Sequence, residues 1–406
     1  MESGKIHSLK YISLCIKGER MNNKERDEKF LKSWLKKKIS ITTSTVVSFL
    51  ITGAVGGGTA YGVNANGTGG GNSVAIGTSS KATPNGSVAV GTKAETFGTE
   101  GTVAVGSGAR ASGTNWQFVD KTQDEVDGVA VGKNASATNG ISVGPQSVSK
   151  DFGVSIGYKA GSQNTTTGLS YSNVAIGANT RVGDPGKKAA QGVAIGGGLL
   201  GHEGAWAKGD QSIAIGANTV AKGDSSIVIG GDDLDAVSLS TASYTKKTFD
   251  KAGTETSSQN VNTNLNDIYK NLTGRTEGLG YRAYPMATAG QGSVALGVKS
   301  QSGDIALAIG TFSEATGINS VAIGTGAQTP QANAVAIGGG STTVGAQGRQ
   351  VTDADITLSD GTTMRFTNFA GGSNVEEGSM VSFGRSGKER QLKHIAPGEV
   401  TATSTD

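Results

Sequence analysis

Cysteine occurs once in 406 residues, at Cys15, and histidine three times, at His7, His202 and His394. A lone thiol closes no internal disulfide, and beyond Cys15 there is no thiolate chemistry to invoke. His202 and His394 have no supporting constellation in the sequence around them, so acid–base catalysis has no evident centre. Aromatics make up 5% of the chain and no Lys/Arg-rich stripe interleaves with them, which argues against nucleic acid as a partner. A long hydrophobic run is also missing. The most apolar stretch, Val46-Val47-Ser48-Phe49-Leu50-Ile51, is too short to favour a membrane span.

Glycine, by contrast, is abundant at 65 residues, and much of it sits in one recurring phrase. Val74-Ala75-Ile76-Gly77 returns as Val88-Ala89-Val90-Gly91, Val174-Ala175-Ile176-Gly177, Ile213-Ala214-Ile215-Gly216 and Val321-Ala322-Ile323-Gly324, with 14 such phrases in all. Where nothing intervenes the step is 14 residues, as from 74 to 88 or from 307 to 321 to 335. A short fixed period is the mark of a stacked repeat architecture rather than of a globular domain built around one cavity.

Each phrase alternates large apolar, small, large apolar, Gly, which is the period-two pattern of a strand with two unlike faces. A polar run and a turn signal such as Pro84-Asn85-Gly86 follow, so 14 residues hold two short strands and two turns. A coil that thin has room inside for Ala, Ser and Gly. The Val/Ile face is therefore expected to point outward, leaving an apolar ridge that soluble monomers avoid exposing. Ridges of several chains meeting would resolve this, and stability would then depend on assembly. The alternative is a wider monomeric solenoid with the Val/Ile pairs inside.

The phrase with its flanks, as in Asn319-Ser320-Val321-Ala322-Ile323-Gly324-Thr325-Gly326-Ala327, resembles the head repeats of trimeric autotransporter adhesins. The resemblance runs from Asn72 to the C-terminus. It implies an all-β fold, a left-handed parallel β-roll (β-solenoid) of about 14-residue coils, homotrimeric on a bacterial surface. In that arrangement Val74, Ile76, Val88, Val90, Val174, Ile176, Ile213, Ile215, Val321 and Ile323 form the trimer core. Val381-Ser382-Phe383-Gly384, Glu389 to Gly398 and Ala402 to Asp406 look like the family's neck. No heptad stalk and no set of amphipathic barrel strands follows, so the chain reads as a head without a membrane anchor of its own. A fragment, a broken frame and a released head all remain open.

Residues 1–60 differ in composition from the rest, with 11 Lys/Arg against 5 Asp/Glu. Lys36-Lys37-Lys38, the apolar Ile39 to Val55 and the small Gly58-Thr59-Ala60 read as an extended signal peptide region, with a transmembrane anchor as the alternative. Met21 begins a more ordinary signal peptide than Met1. The expected organisation beyond it is β-roll repeats over 61–230, an inserted subdomain over 231–292, repeats again over 293–340, a β-hairpin segment over 341–380 and a truncated neck over 381–406.

Specificity is expected where the period breaks, because insertions fall on loops. The break after Gly106 brings Trp116 and Phe118, and the break after Gly196 brings His202 and Trp206. These four are the ligand-binding candidates, Trp being enriched at binding hot spots. Turn capping and packing on a neighbouring chain are the plainer roles for both Trp. In the largest break, Val261, Leu265, Ile268, Tyr269 and Leu272 fit one face of a short helix stopped by Gly274. Its acidic opening, Asp232-Asp233-Leu234-Asp235, lacks repeated ligand spacing, so no metal is expected. Val351 to Phe369 alternates around a Ser359-Asp360-Gly361-Thr362 turn and reads as a hairpin.

Enzymatic readings fail on spacing. Gly106-Ser107-Gly108 lacks the third glycine of a dinucleotide site, and no P-loop Lys follows a Gly run. Left-handed β-helix acyltransferases share the Ile-Gly repeat but step by about six residues per face. The expectation is a non-enzymatic, cofactor-free adhesin head that binds host surface glycoproteins or matrix proteins of the collagen, fibronectin and laminin class. A self-associating surface spacer that clumps bacteria without a host receptor is the alternative.

Overall fold

A computed structural model describes residues 73–117, 123–162, 171–184, 189–198, 204–280, 286–367 and 375–396. The expected signal peptide region, Phe118, His202 and the end of the neck lie outside these.

The repeated phrases stack into one parallel wall of 15 strands, from Val74–Ile76 to Val381–Ser382. Register is phrase on phrase: Val74 pairs with Val88, Ala75 with Ala89 and Ile76 with Val90. A second parallel wall of 12 strands runs from Lys81–Ala82 to Glu314–Ala315. The chain alternates between the walls, and each coil up to Glu314–Ala315 contributes a short strand to both; beyond it the second wall continues only as isolated bridges at Gln328 and Thr342. This is the β-roll that the 14-residue step requires.

Burial settles which face is inside. Ala75 is fully buried while Ile76, next to it, is 44% exposed. Ala82, Ala89, Ala94, Ala104 and Ala111 are buried from both walls. The wide solenoid with Val/Ile inside is thereby excluded. The interior also holds hydroxyls, which must find partners when buried. Ser142 and Ser147 bond across it at 2.7 Å, as do Ser302 and Ser293 at 3.0 Å. Val182 is an exception in size, and it fits because Gly192 opposite has no side chain: a Cβ there would lie 2.5 Å from Val182 Cγ1.

The phrase glycine is a packing requirement. Gly91 has φ +130°, and a Cβ on it would sit 2.6 Å from the carbonyl carbon and oxygen of Gly106 in the next coil. After each such glycine the chain turns back. Except after Gly196 and Gly230, the residue two positions on is left-handed (Lys93 φ 58°, Asn134 φ 56°), and the one after it is small or hydroxylated. Ser80 Oγ donates to Gly77 O at 2.9 Å, closing the turn. At the opposite corner, side chains form a ladder. Asp210 Oδ1 accepts the Ala190 N–H, Asp224 Oδ1 the Asp210 N–H, Gln291 Oε1 the Asp224 N–H, and Asp304 Oδ1 the Gln291 N–H, at 2.7 to 2.9 Å. The turns, like the strands, are thus hydrogen-bonded from coil to coil along this corner.

The large insertion leaves the first wall after Gly230 and rejoins the second at Ala287–Ala289. It contains helix α1 (Asp235–Leu239), an exposed antiparallel ribbon (Thr241–Phe249 with Glu255–Asn264) and helix α2 (Leu265–Thr273). The expected helix is present and Gly274, left-handed at φ 73°, stops it. Val261, however, lies in the ribbon. The Asn264 side chain accepts the Asp267 N–H and caps the helix there, so it cannot run back to residue 261. Two further hairpins project from the roll, Thr114–Gln117 with Gln123–Val126 and Asp353–Thr357 with Thr363–Thr367.

Candidate functional site

The outer face of the first wall is the most distinctive surface of the molecule. Val74, Val88, Val174, Ile213 and Val321 stand in one column, and Ile76, Val90, Ile176, Ile215 and Ile323 in a second, two residues along. All are half-buried or exposed within the single chain. Further along the columns Ile229 is 43% and Ile337 39% exposed. Because the register never slips, the large side chains form a continuous apolar ridge down the length of the roll. Burying a Val or Ile side chain is worth roughly 1.5–3 kcal/mol, so a ridge left in water forgoes much of what its sequence offers.

The two described ligand candidates, Trp116 and Trp206, lie in separate sheets. Trp116 lies in the strand Thr114–Gln117 of a hairpin, while Phe118 and His202 fall outside the described residues. Trp206 is not in a loop as expected. It occupies a strand of the second wall, Trp206–Ala207, paired with Arg181 on one side and Val220 on the other. Its indole Nε1–H donates to Gly183 O at 2.8 Å. Cations pave the ring, with Lys208 Nζ 3.7 Å and Arg181 Cζ 5.3 Å from its centroid. Lys208 also meets Asp184 at 3.8 Å. Alternation explains the error: Ala207 faces inward with the other alanines, so Trp206 takes the outward position of an ordinary coil. His394 lies in the exposed C-terminal segment, at φ 61°.

Sequence reading missed the residues that fix the insertion to the roll. Phe312 occupies the left-handed turn position (φ 55°) that in other coils carries Ser, Lys, Asn, Gln or Gly, and it is fully buried. Its ring meets Tyr269 of α2 at 5.4 Å, in a cluster with Leu234 and Leu279. One coil on, the same position is Gly326, where a Cβ would strike Thr273; two coils on it is Gly340, where a Cβ would strike the Leu272 carbonyl. The turn column is thus a knob followed by two hollows, into which α2 fits. A nine-residue helix is about 13.5 Å long, close to the roughly 14 Å that three coils span. Arg275 Nη1 meets Glu314 Oε1 at 2.9 Å beside it. At the end of α2, Arg385 donates from Nε to Leu272 O at 3.1 Å and from Nη2 to Asn271 O at 3.0 Å. Its charge sits favourably against the helix C-terminus. Arg390 ties the same segment to Gly339 O and Ser341 Oγ. The only sequence signal was Phe312 breaking the polar pattern of its column.

Thin coils, an alanine interior and an unbroken apolar ridge define a repeat β-roll scaffold that displays loops. The family model of the YadA head domain repeat matches residues 69–94, 100–115, 207–232, 302–327 and 315–341. The chain thus carries YadA-type head repeats at several positions, which supports a head of the trimeric autotransporter adhesin kind. Such heads form trimers, bind host matrix proteins in general and stand at the cell surface or outer membrane. No curated protein matches the chain.

Proposed function

We propose that this chain is a non-enzymatic adhesin head that assembles as a homotrimer and attaches bacteria to host cells or extracellular matrix. The observation that carries the reading is the ridge. Ile76 and its column mates are half-buried or exposed in the single chain, in fixed register over the whole first wall, beside an interior already filled by alanine. Packing three ridges around one axis buries them and presents each insertion three times. Weak contacts then gain by avidity. The ten ridge residues named above are its trimer core. Export through the N-terminal 60 residues agrees with this placement. Trp116, Phe118, His202 and Trp206 are the contact candidates, and the cation-paved Trp206 face is the best defined of them.

The test couples mass to attachment. Purified chain is weighed by light scattering and applied to collagen-, fibronectin- and laminin-coated surfaces. The reading expects a three-chain mass and binding to at least one surface, with Trp116→Ala or Trp206→Ala lowering binding several-fold at unchanged mass. A trimer that ignores host cells and matrix yet clumps bacteria would overturn the adhesive half.

A further inference from the structure

The outer face of the second wall carries a line of positive charge that is scattered along the sequence and assembled only by the register of the coils. Ala82, Ala111, Ala207 and Ala221 turn inward, so their chain neighbours Lys81, Arg110, Lys208 and Lys222 stand outward. Lys150, beside the buried Ser149, and Arg181, beside the buried Val182, do the same. The three coils with no cation on the wall itself carry one on the turn leading into it: Lys93, Lys133 and Lys159. All of these side chains are half-buried or exposed. Each of the nine successive strands from Lys81–Ala82 to Thr219–Ala221 thus brings at least one cation to the line. Neighbouring strands lie about 4.8 Å apart, so the line runs for roughly 38 Å. In the next coils the wall position is Thr288, Gln301 and then Glu314, and the line ends.

Two carboxylates stand among these cations. Glu95 meets Lys81 at 3.2 Å and Arg110 at 3.4 Å, and Asp184 meets Lys208 at 3.8 Å. Asp210 and Asp224, in the same coils as Lys208 and Lys222, lie at the opposite corner and are turned to backbone N–H groups. Positive charge is therefore in clear excess on this face. Three rings stand on the line, and each lies against one of its cations. Arg110 Cζ is 5.4 Å from the Phe97 centroid, Lys159 Nζ 5.2 Å from that of Tyr158 and Lys208 Nζ 3.7 Å from that of Trp206. Such contacts hold long, flexible side chains in place over the wall.

We infer that this line binds a linear sulfated glycan laid down the length of the roll. Charge complementarity selects the occupant: single cations at coil spacing, over many coils, suit an extended chain that repeats an acidic group at short intervals. The rings select against the other common polyanion. Single-stranded nucleic acid is held by bases stacked on aromatic faces, whereas here each ring is engaged by a cation and the face offers charge. The line also lies on the wall opposite the ridge, so packing the ridges leaves it outward and repeats it around the trimer. The inference rests on the adhesive reading above for the host origin of the glycan, and it gives the Trp206 face a ligand class and a wider extent.

The test is a lysine footprint on the unsubstituted chain. Acetylation of individual lysines is followed by mass spectrometry without ligand, with heparin, with desulfated heparin and with single-stranded DNA. Heparin is expected to slow acetylation at least fivefold at Lys81, Lys150 and Lys222, and to leave Lys246 and Lys251 of the exposed ribbon and its turn unchanged. The protection should vanish with the desulfated glycan and at high salt. No protection along the line, protection equal to that of the ribbon, or equal protection by desulfated glycan overturns the inference. Stronger protection by DNA than by heparin overturns it in favour of nucleic acid. Binding of the same preparation to collagen-, fibronectin- and laminin-coated surfaces separates the two readings: if it persists when the footprint fails, only the glycan inference falls, and if both fail, the adhesive reading falls with it.

Discussion

Apart from Gly230 and Gly338, each phrase glycine sits with its Cα against the carbonyl of the glycine one coil away, in a backbone conformation that side-chain-bearing residues rarely adopt. Two separate costs attach to replacing it. Gly310 has φ +127°, and a Cβ would lie 2.7 Å from Gly324 C, whereas Gly361, at φ +88° in an exposed hairpin turn, has nothing within 4 Å. Gly361→Ala is expected to cost the backbone strain alone, about 1–3 kcal/mol. Gly310→Ala adds a clash with main chain that cannot swing aside, so its thermal midpoint should fall further; equal midpoints would show that the coils have slack. Asp151 makes a second residue-scale case. Burial pushes its carboxyl pKa up, against the opposing Asn139 hydrogen bond at 3.5 Å and the Lys150 charge. A raised folded pKa means that the native state holds the proton more tightly. The group's stabilising contribution is present below the unfolded value and is lost as pH rises through the folded one. Asp151→Asn should therefore raise stability by a small amount at pH 7, and by less at pH 3, in denaturant titrations at the two pH values.

At the scale of elements, the roll and its insertion differ in how legible they are. Strand, turn and interior follow from the alternation in Val74-Ala75-Ile76-Gly77 because a period of two fixes the face of every side chain, and Ala75 and Ile76 lie as that period demands. The long ribbon Thr241–Phe249 with Glu255–Asn264 left no such trace, since both of its faces are polar and nearly all its residues are exposed. The helix boundary at Asn264 depended on one side-chain cap, and the place of Trp206 on the register of a single alanine. The docking of α2 was hidden for another reason: Phe312 and Tyr269 are 43 positions apart and meet only once the coils are stacked. Phe312→Ala removes the knob on which α2 rests. Core truncations of Phe cost about 3–5 kcal/mol. Here the loss should be local, with hydrogen exchange of 265–273 speeding up while the Val321–Ile323 coil stays protected. Uniform protection, or uniform loss, would show that the helix is held elsewhere.

For the whole molecule the decisive imbalance is between inside and outside. The interior is thin and made of alanine and serine, so each coil buries little apolar surface within its own chain, while the larger Val and Ile side chains stand on the outer wall. On the trimer proposed above, a solenoid of this kind is stabilised mainly by what its ridge meets, and folding and assembly become one equilibrium. The insertions ride on that scaffold: α2 runs along the turn column, and Arg385 fastens the chain's exit to its end. Sedimentation equilibrium on the purified chain, beside a variant carrying Ile176→Ser, Ile215→Ser and Ile323→Ser, tests the arrangement most directly. The predicted result is three chains for the parent, and for the variant dissociation accompanied by loss of β circular dichroism. A parent that sediments as a single, stably folded chain, unaffected by the three substitutions, would contradict it.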